Sequence, residues 1–324
     1  MLATSAPHAD DDSTGAPVVT ETQVRWSRWR ELADWLEPLL LSPGHSDAFV
    51  AEINRCGATL IGLVQEDPDL ALFHIVHPCP EKLARYGVLH AMHTAILLAL
   101  VGKRKDWVLS RIQSAVNAAL TMNLTITDLQ NVLAQQVEPP TADQRQAIAA
   151  HPLATWHLLR QLGVTDEDWL LAVAQHHEQP DGKGYPQGLT EINQNADALR
   201  TCDVFCAKLS PRISRNGLLS TRAAAEIFRQ RSAGYFGATI IREMGLYPPG
   251  CMVDLNTGEH GVVIRRTHDP MAPEVVVLSN ELGQCIDEPI RTRTGKSHGR
   301  SVIGAAENEF VSAYFNTETV VGLM

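Results

Sequence analysis

Apolar residues recur every three or four positions over most of the chain, which is the period of an amphipathic helix. The first such stretch begins at Val24 and ends before Ser42-Pro43-Gly44, where proline and glycine stop a helix. Other stretches with this period cover about residues 46–65, 68–76, 83–102, 107–120, 127–136, 141–163, 166–175, 198–210 and 220–244. The pattern therefore predicts a mainly α protein up to residue 247.

The period changes to two after Tyr247-Pro248-Pro249-Gly250, and alternation of apolar and polar residues indicates strands. Alternating segments at 251–266 and 273–284 carry turn residues, and from 291 the pattern is mixed. The small, acidic residues at the N-terminus resemble a disordered segment. We predict a disordered tail at 1–23, a helical N-terminal subdomain at 24–80, a main helical domain at 81–247, a small β-rich appendage at 248–290 and a C-terminal tail at 291–324.

Composition narrows the classes of function. The 27 basic and 37 acidic residues give a formal charge of −10, which disfavours a nucleic acid polymer as partner. The six cysteines form no CxxC pair, so free thiols in a reducing cytoplasm are expected. The longest apolar run, Thr94 to Val101, is far shorter than the ~20 residues of a membrane-spanning helix. We therefore predict a cytoplasmic protein without a membrane span.

The stretch HHEQPDGKGYPQGL, residues 176–189, holds the densest group of metal-binding side chains. It follows a predicted helix with Asp166 as N-cap, so the two histidines lie at a helix C-terminus. Two adjacent imidazoles followed by Glu178 and Asp181 can bind a divalent metal. The glycines and the proline that follow prevent the helix from continuing.

This stretch resembles the signature HHExxDGxGYP of the HD-GYP family, bacterial metal-dependent phosphodiesterases that hydrolyse cyclic di-GMP. The matching positions are His176, His177, Glu178, Asp181, Gly182, Gly184, Tyr185 and Pro186. The resemblance extends over about residues 86–282. It implies a mainly α fold, an HD-GYP-like helical bundle, with a helical N-terminal subdomain and a small C-terminal β appendage.

The resemblance also implies a set of metal ligands. His90 lies twelve residues before a family glycine matched by Gly102, and His151 opens a family-like HPxxxxxxLL, whose proline suggests a kink or a restart of the helix. The implied ligands are His90, His151, His176, His177 and Asp203. Tyr86 stands where some members have a carboxylate for a third metal, so we do not expect a three-metal centre.

Three further residues are implied in binding the substrate. Arg212 and Arg215 coincide with basic positions that contact the phosphates of the nucleotide in family members, and guanidinium groups suit phosphate. Tyr185 is expected to shape the pocket. The alternative for the two arginines is a solvated basic loop.

The chain departs from the family where members have a segment like aaLLHDIGK. Here the residues are AALTMNLTI, and alignment on Leu120 puts Thr121 and Met122 in place of the His-Asp dyad and Thr125 in place of the lysine. In the family that Asp bridges two metals, whereas a Met thioether is a soft ligand that cannot do so. Three imidazoles can still hold one Zn or Fe ion. We therefore expect one divalent metal at most (Fe, Mn or Zn), or weak occupancy of two, and assign no certain catalytic residue.

Three hypotheses follow. The leading one is a degenerate HD-GYP protein with impaired or lost hydrolysis. It would bind cyclic di-GMP, or it would bind a signalling protein such as a cyclase through the GYP loop, the loop that carries Gly184, Tyr185 and Pro186. The first alternative is an active, metal-dependent cyclic di-GMP phosphodiesterase giving pGpG or GMP. The second is a single-metal phosphohydrolase acting on another phosphorylated substrate.

Overall fold

A computed structural model of the protein describes residues 20–77, 81–229, 234–306 and 316–324. The predicted disordered tail therefore lies outside the described residues as far as residue 19. Beyond that point the prediction is wrong, because helix α1 begins at Glu21. Thr20 caps it: its hydroxyl accepts the Gln23 N–H, and the Gln23 side chain accepts the Thr20 N–H in return.

Helices make up most of the described chain before residue 245, as the apolar period predicted. Their bounds are α1 Glu21–Leu41, α2 Phe49–Glu66, α3 Pro68–Val76, α4 Glu81–Ala84, α5 Tyr86–Arg104, α6 Leu109–Thr121, α7 Thr127–Gln135, α8 Ala142–Gln161, α9 Glu167–Gln175, α10 Gln194–Leu209, α11 Ser220–Arg229 and α12 Gly234–Met244. The single helical stretch predicted at 220–244 is thus described as two helices, and residues 230–233 lie outside the description.

Helix α5 lies at the centre of the bundle and contacts helices from both predicted helical domains, among them α2, α3, α6 and α10. By length and composition α5 is the one described helix that could cross a membrane, yet 89% of its apolar window is buried inside the protein. Buried residues of α1, α2 and α3 belong to the same hydrophobic core as those of α6, α9 and α10. The N-terminal helices therefore pack as part of the bundle that holds the candidate site.

A five-stranded antiparallel sheet follows the helices in the order β4-β3-β2-β1-β5. Its strands are β1 Met252–Leu255, β2 His260–Arg265, β3 Glu274–Ser279, β4 Cys285–Arg293 and β5 Val302–Ala305, and a last helix, α13, covers Thr317–Gly322. The register pairs Met252 with Val262, Val277 with Ile290 and Val253 with Ala305. The sheet thus confirms the change of period after residue 250.

The segment predicted as a C-terminal tail contributes to the fold, so its boundary at residue 291 is wrong. Strand β5 pairs with β1, and Gln23 of α1 donates a hydrogen bond to the Glu318 carbonyl of α13 at 3.2 Å. The reason is that a four-residue strand containing Gly304 has almost no local pattern. Its partner strand lies far upstream in the chain, where local periodicity cannot reveal it.

The sheet is joined to the bundle through the start of α3. Asp67 caps α3 by accepting the Leu70 N–H, and Arg265 of β2 donates to the same carboxylate, with Nη2 2.8 Å from Oδ2. Gly250 is the last residue of the segment Tyr247-Pro248-Pro249-Gly250, which leads from the helices into the sheet, and its φ is 90°. A Cβ at this position would lie 2.6 Å from the backbone nitrogen of His77. The close approach of the two units therefore requires glycine at this position.

We predict that Asp67→Asn lowers the free energy of unfolding by about 1.5–3 kcal/mol, the range for a hydrogen bond to a charged group. Burial raises the pKa of the Asp67 carboxyl, but hydrogen bonds from Arg265 and Leu70 and the charges of Arg265 and Arg25 outweigh it, so the pKa lies below its ordinary value. The stability from this carboxylate is therefore present above the unfolded pKa of about 3.9. It is lost as the pH falls through the lower folded pKa.

Urea unfolding of both proteins, at neutral pH and at successively more acidic pH, measures this difference. The difference in free energy of unfolding between the wild type and Asp67→Asn should shrink once the pH falls below about 4. If this difference in free energy stayed constant into strong acid, the ionised Asp67 would not have the stabilising role described here.

Candidate metal centre

Helix α8 places His151 at the site through the proline that follows it. The helix does not restart at this proline, since α8 is continuous from Ala142 to Gln161. Pro152 has no N–H for the Ile148 carbonyl. His151 supplies the missing donor, with Nδ1 2.5 Å from the Ile148 oxygen. This hydrogen bond keeps the proton on Nδ1 and leaves the Nε2 lone pair of His151 available.

Helix α9 places His176 in the same way. Its N-cap is Asp166, as predicted, and His176 is its C-cap residue. The Val173 carbonyl in the last turn has no helical partner, and His176 Nδ1 donates to it at 2.7 Å. His176 Nε2 then lies 3.1 Å from His151 Nε2. With both Nδ1 atoms protonated, two lone pairs face each other, an arrangement that a cation between them stabilises.

His177 completes a triad with His151 and His176, because one ligand atom from each lies within 4.8 Å of the others. Its ring is stacked on Tyr185 of the GYP loop, with centroids 4.5 Å apart and an interplanar angle of 19°. Two nitrogens bound to one ion at about 2.1 Å lie about 3.0–3.4 Å apart in tetrahedral or octahedral geometry. The 3.1 Å between the first two Nε2 atoms fits this spacing, so the donor set suits a divalent metal.

Burial keeps the three imidazoles neutral. Burial, together with the neighbouring His176, lowers the pKa of His151 to about 3. The pKa values of His176 and His177 are lowered as well, in both cases mainly by burial. Since only the neutral imidazole binds a metal, the triad is ready for ligation at neutral pH.

His90 and Asp203 form a second group beside the triad. His90 Nε2 lies 2.7 Å from Asp203 Oδ1. Burial raises the pKa of the Asp203 carboxyl, but the hydrogen bond with His90 and the electrostatic effect of the surrounding histidines outweigh it, so its pKa lies well below the ordinary value. The structure therefore brings all five predicted ligands together, as a histidine triad and an adjacent histidine-carboxylate pair.

Tyr86 lies one helical turn before His90, at the position where some members of the family have a carboxylate for a third metal. Its ring stacks on His90, four residues later on α5, with centroids 5.6 Å apart. Arg212 also lies over the phenol ring, with Cζ 5.1 Å from the ring centroid and Nη2 3.2 Å from the hydroxyl. The Arg212 Nε is buried, and no described residue accepts its proton. This guanidinium next to His90 is therefore suited to an anion.

Sequence reasoning missed the role of Tyr86 in holding Arg212. The one available signal was the spacing of four residues between Tyr86 and His90 on a helix. Arg215, the second predicted phosphate contact, is exposed and donates through Nη2 to the Ala207 carbonyl at 2.6 Å. In this structure it braces the loop after α10, and its contact with phosphate stays a prediction.

The two residues aligned with the missing dyad are turned into the protein core. The Thr121 hydroxyl donates to the Asn117 carbonyl and accepts the Trp169 indole N–H, both at 2.8 Å. Met122 is fully buried in the main hydrophobic cluster. Thr121 thus uses its hydroxyl inside the core and Met122 offers only a thioether, so neither supplies the imidazole or carboxylate of the dyad.

Glu178 and Asp181 support the loop, which corrects their interpretation as metal ligands. The fully buried Glu178 carboxylate accepts the Gln187 and Leu189 N–H groups at 2.7 and 2.9 Å. Asp181 accepts the Lys183 N–H on the exposed side. A Cβ on Gly184 would lie 2.4 Å from the Glu178 Cα, so the loop folds tightly back onto this carboxylate. Glu178 thereby fixes the loop that places Tyr185 against His177.

Comparison with known proteins agrees with this geometry. Residues 91–240 match the family model of the HD domain. Cyclic di-GMP phosphodiesterase PA4108 of Pseudomonas aeruginosa is 36% identical over 99 residues, which cover 28% of this chain and 23% of that protein. Cyclic di-GMP phosphodiesterase PdeB of Borreliella burgdorferi is 24% identical over 114 residues, covering 35% and 30%. The chain thus spans less than a third of the length of these relatives.

A solved structure shows the same fold. Bd1817, an HDG"Y"P protein from Bdellovibrio bacteriovorus, superimposes with a TM-score of 0.56 at 12% sequence identity, over 72% of this chain and 73% of that one. The helical bundle and its histidine cluster thus define an HD-domain protein. With the matched signature at residues 176–186, the chain belongs to the HD-GYP family.

We predict that His151→Ala weakens binding of Zn²⁺ at least tenfold, because even residues that only orient a metal ligand contribute about 10- to 100-fold to affinity. The exposed His157, six residues later on the same helix, provides the matched control His157→Ala. Isothermal titration of the apoproteins measures both constants. Equal affinity in the two variants would rule out His151 as a ligand.

We also predict that Glu178→Gln loosens the GYP loop, because a neutral amide accepts more weakly than a carboxylate with two oxygens. Amide hydrogen exchange at Gln187 and Leu189 should become faster. Glu191→Gln, at an exposed position of the same loop, serves as the control. Unchanged protection of both amides in the Glu178 variant would show that the loop does not depend on this carboxylate.

Proposed function

We propose that the chain is a cytoplasmic bacterial signalling protein that binds cyclic di-GMP at the HD-GYP site and hydrolyses it poorly or not at all. The names of the two relatives, both cyclic di-GMP phosphodiesterases, support the nucleotide as ligand. The observation that carries impaired hydrolysis is the burial of Thr121 and Met122 in the core. Without a carboxylate there, the only acidic ligand among the five predicted residues is Asp203.

The residues that remain can hold the nucleotide. His151, His176 and His177 would hold one divalent ion, which would supply Lewis-acid activation of water and of a phosphoryl oxygen. Arg212 supplies the positive charge of its guanidinium to a phosphate, and the Tyr86 hydroxyl accepts a hydrogen bond from it beside His90. Tyr185, stacked on His177, forms an aromatic wall next to the ion position. These groups bind and orient a phosphodiester without a group that bridges two metals.

Two alternatives rest on particular observations. All five predicted ligands survive and lie together, which favours an active phosphodiesterase giving pGpG or GMP through an altered centre. The compact neutral triad by itself favours a single-metal phosphohydrolase on another phosphorylated substrate. A signalling protein as partner would use the GYP loop, whose Lys183 side chain is 81% exposed.

The testing experiment combines binding with product analysis. Calorimetry of the Mn²⁺-loaded protein should show binding of cyclic di-GMP, while chromatography should detect little or no linear dinucleotide or GMP. Arg212→Gln should weaken binding about tenfold or more, the effect of losing one charge-assisted hydrogen bond. Arg145→Gln is the control, since Arg145 is an arginine on α8 that donates to the Pro140 carbonyl.

Two results would contradict the proposal. Absence of nucleotide binding in folded, metal-loaded protein would remove cyclic di-GMP as the ligand. Rapid product formation that disappears in His177→Ala would establish the active phosphodiesterase instead.

A further inference from the structure

A cavity of about 950 Å³ lies in the β-rich appendage. One wall comes from residues 267–272 in the turn between β2 and β3, and the other from residues 294–301, the loop between β4 and β5. None of the lining residues is a predicted metal ligand or belongs to the GYP loop. Ligand cavities commonly measure about 300–1,000 Å³, so this one can take a small organic molecule.

The loop between β4 and β5 has a backbone that is fixed by its own hydrogen bonds. The Gly295 N–H donates to the Arg300 carbonyl at 2.7 Å, which closes the loop, and the His298 N–H donates to the Gly295 carbonyl at 2.9 Å. The Thr294 hydroxyl donates to the Pro273 carbonyl, just before β3, at 2.6 Å. Residues 296–298 at the tip of the loop are therefore presented from a preformed backbone.

The tip of the loop carries hydrogen-bond donors that line the cavity. Lys296 is exposed and has no ion-pair partner within the part of the chain that the structure describes. The Ser297 hydroxyl lies 2.9 Å from His298 Nδ1. With this hydroxyl as donor, the proton of the neutral imidazole stays on Nε2, which can then donate to a ligand. The tip thus offers an ammonium group and a ring N–H.

Two carboxylates also line the cavity, and both are already hydrogen-bonded. Glu274 accepts Arg291 Nη2 at 2.7 Å and Arg293 Nε at 3.3 Å. Asp269 Oδ1 accepts the Met271 N–H at 2.9 Å. Together with the lysine at the tip of the loop, three basic side chains face these two carboxylates. The protein has a formal charge of −10, so an excess of positive charge here is a local feature that attracts anions.

We propose that this cavity binds a soluble organic phosphate of up to nucleotide size, with Lys296 and the His298 ring donating to the phosphate oxygens. Lysine is a common phosphate ligand, and charge-assisted hydrogen bonds to phosphate are among the strong ones in proteins. A cation is disfavoured, because both carboxylates have partners. The inference goes beyond the proposed function, since the cavity shares no residue with the metal centre.

The first test is isothermal titration of the metal-free protein with inorganic pyrophosphate. Lys296→Gln should weaken binding about tenfold, the effect of losing one charge-assisted hydrogen bond. Arg55→Gln is the matched control, because it removes the same charge from α2, where Arg55 is exposed and pairs with Glu52 of its own helix. This control should bind pyrophosphate as the wild type does.

A second variant should change the affinity in the opposite direction. Asp269→Asn should strengthen pyrophosphate binding several-fold, because the repulsion between the carboxylate and the phosphate is removed. The carboxamide oxygen can still accept the Met271 N–H, so the turn keeps its shape. Asp143→Asn, at an exposed position in the first turn of α8, is the charge-matched control and should show no gain.

Three results would overturn the inference. The first is that folded wild-type protein does not bind pyrophosphate at millimolar concentration. The second is that Lys296→Gln and Arg55→Gln have equal affinities, which is expected of a solvated basic loop. The third is that Arg212→Gln abolishes pyrophosphate binding, which would place the anion at the metal centre. Failure to bind cyclic di-GMP would overturn the proposed function and leave these measurements unaffected.

Discussion

The contact between the Nε2 atoms of His151 and His176 is the constraint on which the site depends. Each ring is oriented by its own helix, through a hydrogen bond from Nδ1 to a carbonyl three residues earlier. On α8 that carbonyl is free because Pro152 has no N–H, and on α9 it is free because the helix ends. A proline inside one helix and the end of another therefore direct the Nε2 lone pairs of His151 and His176 towards the same position.

The balance of charge around that point explains the proposed loss of turnover. The triad contributes three neutral imidazoles, and Asp203 is the only carboxylate among the five predicted ligands. The Glu178 carboxylate in the loop accepts hydrogen bonds from two backbone N–H groups, and Arg212 adds a positive charge over the Tyr86 ring. Such a site can compensate one divalent ion far better than two.

The features of the fold that depend on neighbouring residues in the chain could be predicted from the sequence. The helices, their caps at Asp166 and Thr141 and the change of period after residue 250 follow from neighbouring residues. The family resemblance supplied the five ligands. Contacts between distant segments could not be predicted in this way. Strand β5 needs β1 as its partner, and the hold of Tyr86 on Arg212 joins residues 126 positions apart.

The central claim, one ion held by the histidine triad, can be tested most directly by anomalous diffraction from crystals grown with Mn²⁺. Our account predicts a strong peak between the imidazoles of His151, His176 and His177, and a weaker peak or none beside His90 and Asp203. Two peaks of equal height would show a complete two-metal centre and contradict the proposed loss of turnover. No peak at the triad would contradict the metal site itself.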